Sequence, residues 1–138
     1  MLTTDPPRQT AQAESDIGRP KLVSIVALDG RDDGSVLALA ASLARAVDSR
    51  IASAIVESAR ERDIHIPDVD QLHDASPAGV SASVGGQTVV LGNSALFTAL
   101  GLSIDRLGDW PERLRQHGQH VLFVAIDGLT AGFIGIVE

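Results

Sequence analysis

The spacing of hydrophobic residues changes period along the chain, and each change predicts a new element. The apolar run at residues 22–28 is typical of a buried strand, and it stops at the turn dipeptide Asp29-Gly30. Between residues 32 and 47 the apolar residues recur at helical spacing, and a second helical stretch follows at residues 49–63. The first half of the chain is therefore predicted to form one strand followed by two helices.

The second half of the chain is predicted to be strands joined by tight turns, with short helices between them. The predicted elements are strands at about 71–75, 79–84 and 87–91, helices at about 93–101 and 108–117, and two final strands around Asp127-Gly128. Gly85-Gly86 is a two-residue hairpin signal. Because hairpin connections dominate, we predict an α+β domain with a mostly antiparallel sheet of about six strands, flanked by helical pairs.

Residues 1–18 differ from the rest of the chain. They are polar, contain Pro6-Pro7 and show no periodicity, which predicts a disordered leader before a single domain at residues 19–138. The start has no apolar segment typical of a signal peptide, and no apolar run approaches the roughly 20 residues that a membrane span needs. We therefore expect a cytoplasmic protein without a membrane span.

Charge and composition exclude several classes of function. The chain of 138 residues carries a formal net charge of −7, which would repel phosphate backbones, so we expect no nucleic-acid partner. It has no Cys and one Met, which removes thiolate metal sites. His117 and His120 are three residues apart, but Gly118 interrupts the helix that would align them. We expect no tightly bound metal.

The order of the elements and five stretches within them resemble the nucleotide-binding domain of heavy-metal-transporting P-type ATPases, the copper and zinc pumps. The stretches are GRPKLVSIVAL, VLALAASL, ASAIVESARERDI, GQTVVLGN and GQHVLFVAIDGLTAGFIGIVE, and the resemblance covers residues 18–138. It implies the fold of that domain and a pocket for ATP or ADP.

The resemblance places the family's Ser-Glu-His-Pro motif on residues 47–50. In the family the His of this motif helps to hold the adenine. Here only the acid is kept, as the shorter Asp48, and Ser49 replaces the His. The residues alone favour another role, because Asp48 and Ser49 are both good N-caps for the helix that follows.

Two further parts of the family's pocket can be located. The Gly-x-Gly-x-x-Gly loop falls on residues 77–82, where Pro77 and Ala82 replace glycines, and a plain strand entry fits this stretch better. Gly92 and Asn93 match the family's Gly-Asn pair in full, although a turn followed by a helix cap explains these two residues equally well. The candidate nucleotide-binding residues are Asp48, Ser49, Gly79, Val80, Gly92 and Asn93.

The resemblance also predicts that this chain is not an enzyme. In the pumps the phosphorylated Asp-Lys-Thr-Gly-Thr motif precedes the first strand, but residues 10–14 here read TAQAE. The chain stops where the phosphorylation domain would resume, and phosphoryl transfer needs a nucleophile, a metal and in-line geometry. We therefore predict no catalytic residues and no ATP hydrolysis.

Three hypotheses about function remain open. The chain is a stand-alone domain that binds ATP or ADP weakly or not at all. Alternatively, it is a non-catalytic pseudo-domain that regulates or contacts a metal-transporting ATPase or another metal-resistance protein. A third hypothesis is a piece of a larger pump, against which the unrelated polar leader argues.

Overall fold

A six-stranded antiparallel sheet forms the centre of the computed structural model, which describes residues 19–75 and 78–138. The strand order is β1-β6-β5-β4-β3-β2. The strands are β1 (Lys21–Ala27), β2 (Asp70–Ala75), β3 (Gly79–Val84), β4 (Gln87–Gly92), β5 (His120–Ile126) and β6 (Leu129–Val137). The helices are α1 (Asp33–Ala44), α2 (Arg50–Glu61), α3 (Ser94–Ala99) and α4 (Trp110–Gln116), with a 3-10 turn at Asp105–Leu107. The predictions for residues 1–18 and for Pro77 lie outside the described residues.

Local sequence signals explain where these elements begin and turn. Asp32 and Asn93 accept hydrogen bonds from the backbone N–H groups of Ser35 and Leu96 at 3.1 and 3.0 Å, and so cap α1 and α3. Both predicted hairpins have positive φ at their two central residues, which is the backbone twist that joins antiparallel strands tightly. The predicted α+β architecture is confirmed.

Each face of the sheet is covered by a separate hydrophobic core. On one face α1 and α2 pack over β1, β3, β4, β5 and β6, with Leu43, Ile55 and Ile134 fully buried. On the other face α3, the 3-10 turn and α4 pack over β4, β5 and β6, where the neighbouring rings of Phe97, Phe123 and Phe133 are fully buried. Within the described ranges, no helix is long and apolar enough to cross a bilayer.

The strands do not all end at the same level. β4 pairs with β5 only between residues 89–92 and 123–126, whereas β6 pairs with β5 from His120 onward. Residues 120–122 of β5 therefore extend beyond the end of β4. At that level the chain of β4 has already turned at Asn93 into α3, and the half-buried Leu122 has no β4 residue beside it.

One ion pair ties the turn after β1 to β6 and to the 3-10 turn. Arg106 donates to both carboxylate oxygens of Asp29 at 2.9 and 2.8 Å, and also to the carbonyl oxygen of Thr130 at 2.6 Å. The hydrogen bonds from Arg106 hold the pKa of Asp29 below its usual value of 3.8.

The lowered pKa predicts how stability depends on pH. A carboxyl group whose pKa is depressed by folding stabilises the protein above its unfolded pKa, and this contribution is lost as the pH falls through the folded pKa. We expect Asp29→Asn to lower the free energy of unfolding near neutral pH. The difference from the parent protein should shrink below about pH 4. Urea unfolding at several pH values measures this.

Asp70→Asn is the matched control, because it makes the same change in charge at an exposed position on the edge strand β2. Equal effects of the two substitutions at every pH would contradict the assignment.

Candidate functional site

A cleft of about 690 Å³ lies at the end of the sheet where β3 begins, β4 ends and β5 projects. The loop between α1 and α2 and the first turns of α2 form one wall. The starts of β3 and β5 and the end of β4 form the other. The cleft exists because β4 turns away into α3 before it can cover the start of β5.

Apolar side chains form most of the interior of this cleft. Val80, Leu91 and Leu122 line it from the sheet, and Ile51 and Ile55 line it from α2. Val80, Leu91 and Ile55 are also buried members of the first core, so the bottom of the cleft is the exposed edge of that core. A concave, mostly apolar surface of this volume is typical of sites for small organic ligands.

The structure brings five of the six sequence-predicted site residues to this one cleft. Asp48, Ser49, Gly79, Val80 and Asn93 line it, whereas Gly92 is not among the lining residues and pairs with Gly79 across the two strands. The strand register brings Gly79 and Val80 close to Asn93, and the loop before α2 adds Asp48 and Ser49. The role of these residues in binding a nucleotide remains a prediction.

Ser49 and Asp48 sit side by side before α2 but differ in their surroundings. The hydroxyl of Ser49 accepts hydrogen bonds from the N–H groups of Ile51 and Ala52 at 3.2 and 3.4 Å, and so caps α2. Asp48 is exposed at the mouth of the cleft. The N-cap role is therefore filled by Ser49, and the carboxylate of Asp48 faces solvent where a ligand would enter.

Gly79 and Gly92 are both required by packing against α3. A Cβ atom at Gly92 would lie 2.6 Å from Cδ2 of Leu96 and 2.8 Å from the carbonyl oxygen of Ala78. A Cβ atom at Gly79 would lie 2.6 Å from Cα of Gly92 and 2.7 Å from Leu96, and Gly79 also has a φ of +155°. The space beside each glycine is thus occupied by this chain's own Leu96.

The oxygen and the nitrogen of the Asn93 side-chain amide have different roles. Its Oδ1 atom accepts from the N–H of Leu96, which assigns the amide nitrogen to the remaining position. The half-buried side chain lines the cleft. Its NH2 group is a hydrogen-bond donor that a ligand in the cleft could reach.

A polar rim that no motif in the sequence indicates lies opposite α2. Arg115, Gln119 and His120 line the cleft from α4 and the start of β5. Of the two His residues three positions apart, His120 lines the cleft and His117 does not. Among residues 19–75 and 78–138, no three His, Asp or Glu residues are grouped so that they could hold a metal ion. The rim arises because α4 packs against β5, which no local pattern in the sequence indicates.

Comparisons of the sequence find transporters that handle heavy metals. The chain is 36% identical over 121 residues to a copper-transporting P-type ATPase of Rhizobium leguminosarum bv. viciae, and 34% identical over 121 residues to a silver exporting P-type ATPase of Salmonella typhimurium. Each match covers 88% of this chain but only 14% and 15% of those relatives, so the chain spans about a seventh of their length. No family model matches the sequence.

Comparisons of the structure point to one domain of such transporters. The N-domain of HMA8, a copper-transporting P-type ATPase, superposes with a TM-score of 0.70 at 22% identity, covering 83% of this chain and 97% of that one. The N-domain of HMA6 gives 0.69 at 20% identity, covering 86% and 99%. This chain is a homologue of the heavy-metal P-type ATPases, with the fold of their N-domain. The resemblance on which the sequence analysis relied is confirmed.

The close packing around Gly79 predicts that a side chain added at this position will destabilise the protein. We expect Gly79→Ala to destabilise the protein by about 3 kcal/mol or more, because it adds both a backbone clash and an unfavourable φ. Gly85→Ala is the matched control: Gly85 has a φ of +57° with nothing within 4 Å of its added Cβ. Its cost should be only about 1–2 kcal/mol. Equilibrium unfolding in urea separates the two, and similar losses would refute the packing role.

Proposed function

We propose that this chain is a non-catalytic N-domain homologue that binds an adenine nucleotide, ATP or ADP, weakly in the cleft between α2 and the end of the sheet. The observation that carries the proposal is the convergence of Asp48, Ser49, Gly79, Val80 and Asn93 on one cleft of about 690 Å³. The similarity to N-domains of metal-transporting ATPases supports the choice of ligand.

The residues present fit the base of such a ligand. The apolar side chains of Ile51 and Leu122 offer surface to the faces of an aromatic ring. At the mouth, the carboxylate of Asp48 can accept a hydrogen bond from an exocyclic amine, and the amide of Asn93 can donate one to a ring nitrogen. An adenine needs this pairing of one acceptor with one donor.

We expect weak binding because this chain lacks some of the contacts to the base that the resemblance implies for the family. Ser49 stands where the resemblance places an imidazole, and its hydroxyl already caps α2. The loss of a stacking ring and of one hydrogen bond, at about 1 kcal/mol each, lowers affinity by more than tenfold.

We propose further that the chain does not hydrolyse the nucleotide. The structural neighbours that it covers almost completely are N-domains, which are fragments of larger transporters. Residues 10–14 also lack the aspartate of the phosphorylation motif. Incubation with ATP and magnesium should release no phosphate above background, and turnover that scales with protein concentration would refute this.

The apolar floor of the cleft predicts the result of a nucleotide titration. Amide chemical shifts of residues lining the cleft should move on addition of millimolar ATP or ADP. Leu122→Ala should weaken binding by about three- to tenfold, because it removes apolar surface under the base. Leu100→Ala should leave affinity unchanged, because Leu100 is 52% exposed after α3 and does not line the cleft. Shifts confined to residues elsewhere, or none at all, would reject the proposal.

A second candidate is a non-catalytic interaction module in metal homeostasis. It is favoured by large apolar side chains that are exposed on the surface, among them Leu129 at 62%, Leu100 at 52% and Trp110 at 44%. Trp110 packs edge-on against the buried Phe133, with ring centroids 5.4 Å apart, so its position is fixed while much of its ring meets solvent. Exposed, rigidly held aromatic rings are typical anchors of protein interfaces.

The partner proposed for this module is a heavy-metal P-type ATPase or another metal-resistance protein. Trp110 is the only Trp in the sequence, so its fluorescence reports directly on the surroundings of that side chain. Addition of a purified, Trp-free soluble domain of a copper-transporting ATPase should shift its emission to shorter wavelength. A spectrum that does not change at saturating partner concentration would count against this candidate.

A further inference from the structure

The basic side chains that line the cleft are already paired with carboxylates of the same chain. The guanidinium of Arg115 lies 3.0 Å from the carboxylate of Glu112 and 5.9 Å from the centre of the Phe123 ring. His120 lies 3.1 Å from Glu138, whose other carboxylate oxygen lies 3.2 Å from Arg50. Among the described residues that line the cleft, Arg115 and His120 are the only basic side chains.

Three backbone donors near the cleft, at the starts of α2 and α3, are engaged as well. A helix N-terminus normally attracts phosphate through free N–H groups. At the start of α2, the N–H groups of Ile51 and Ala52 are taken by the hydroxyl of Ser49. At the start of α3, the N–H of Leu96 is taken by Asn93.

The remaining charges oppose an anionic ligand. Asp48 lies exposed at the mouth of the cleft, and the whole chain carries a formal net charge of −7. A polyphosphate would therefore meet one nearby carboxylate and a repulsive overall field, while Arg115 and His120 are each paired with a carboxylate of the same chain. Nothing in this charge arrangement disfavours the uncharged part of a nucleotide.

From these contacts we infer that the cleft selects an uncharged purine nucleoside over its phosphorylated forms, with affinity decreasing from adenosine to AMP, ADP and ATP. This inference rests on the proposed function, because it concerns the same cleft and the same base. It reverses the order expected of a site that grips the phosphates. Binding energy comes from the apolar floor and from the hydrogen bonds of Asp48 and Asn93, and each added phosphate only adds repulsion.

The test is calorimetry, with amide shifts as a second readout, using adenosine, AMP, ADP and ATP without magnesium at low ionic strength. We expect ATP to bind more weakly than adenosine by about threefold or more. The ratio of the two dissociation constants should approach one as salt is added, because salt screens the repulsion between exposed charges.

Two variants examine the physical cause. Asp48→Asn removes the carboxylate at the mouth, and Glu112→Gln frees Arg115, so both should raise the affinity for ATP relative to that for adenosine. Glu61→Gln is the control: it makes the same charge change at the far end of α2, and it should alter the ratio less than either of the others.

The outcomes separate the two ideas. ATP binding as tightly as adenosine or more tightly at low salt overturns this inference and leaves the proposed function intact. An absence of binding by all four compounds at millimolar concentration overturns both. Binding in the expected order, with a larger response to Asp48→Asn than to Glu61→Gln, supports the inference.

Discussion

The early end of β4 is the constraint on which the cleft depends. β5 continues for three residues beyond its pairing with β4, and β6 follows it on the other side. Because the chain turns at Asn93 into α3, one stretch of an otherwise covered sheet is left open, and Leu122 becomes its floor. A longer β4 would close this opening by pairing with β5 beyond the four residue pairs that the two strands already form. The site is therefore created by strand register, and its side chains only refine it.

That same turn explains why the glycines stand where they do. Gly79 and Gly92 are cross-strand partners, and the space where their side chains would lie is filled by Leu96 from the first turn of α3. Asn93 then caps that helix, and Ser49 caps α2 across the cleft. Four of the six residues that resemble a nucleotide site thus have a complete explanation in the folding of the domain itself. Their identity follows from the geometry of the turn, whether or not a ligand is bound.

The features that could be predicted from the sequence are those that depend on interactions between residues close together in the chain. The helical spacing of residues 32–47, the hairpins at Gly85-Gly86 and Asp127-Gly128, and the capping preference of Asn93 each act over a few residues, and each predicted element is present. The rim of Arg115 and His120 could not be predicted in this way. It forms because α4 folds back against β5, and its two basic side chains pair with Glu112 and with Glu138, which follows the last strand. Such contacts join elements whose relative placement depends on the whole sheet.

Residues with a role in folding and residues without one carry different information about function. Ser49, Gly79, Gly92 and Asn93 would be retained by selection for stability alone, because replacing each one removes a cap or creates a clash. Asp48 is different: it is exposed, it does not cap α2, and it lines the cleft beside Ser49. A carboxylate in that position favours a hydrogen-bond donor such as an exocyclic amine and repels phosphate. The chemistry of the cleft is therefore defined less by the glycines that resemble a family motif than by one exposed acid above an apolar floor.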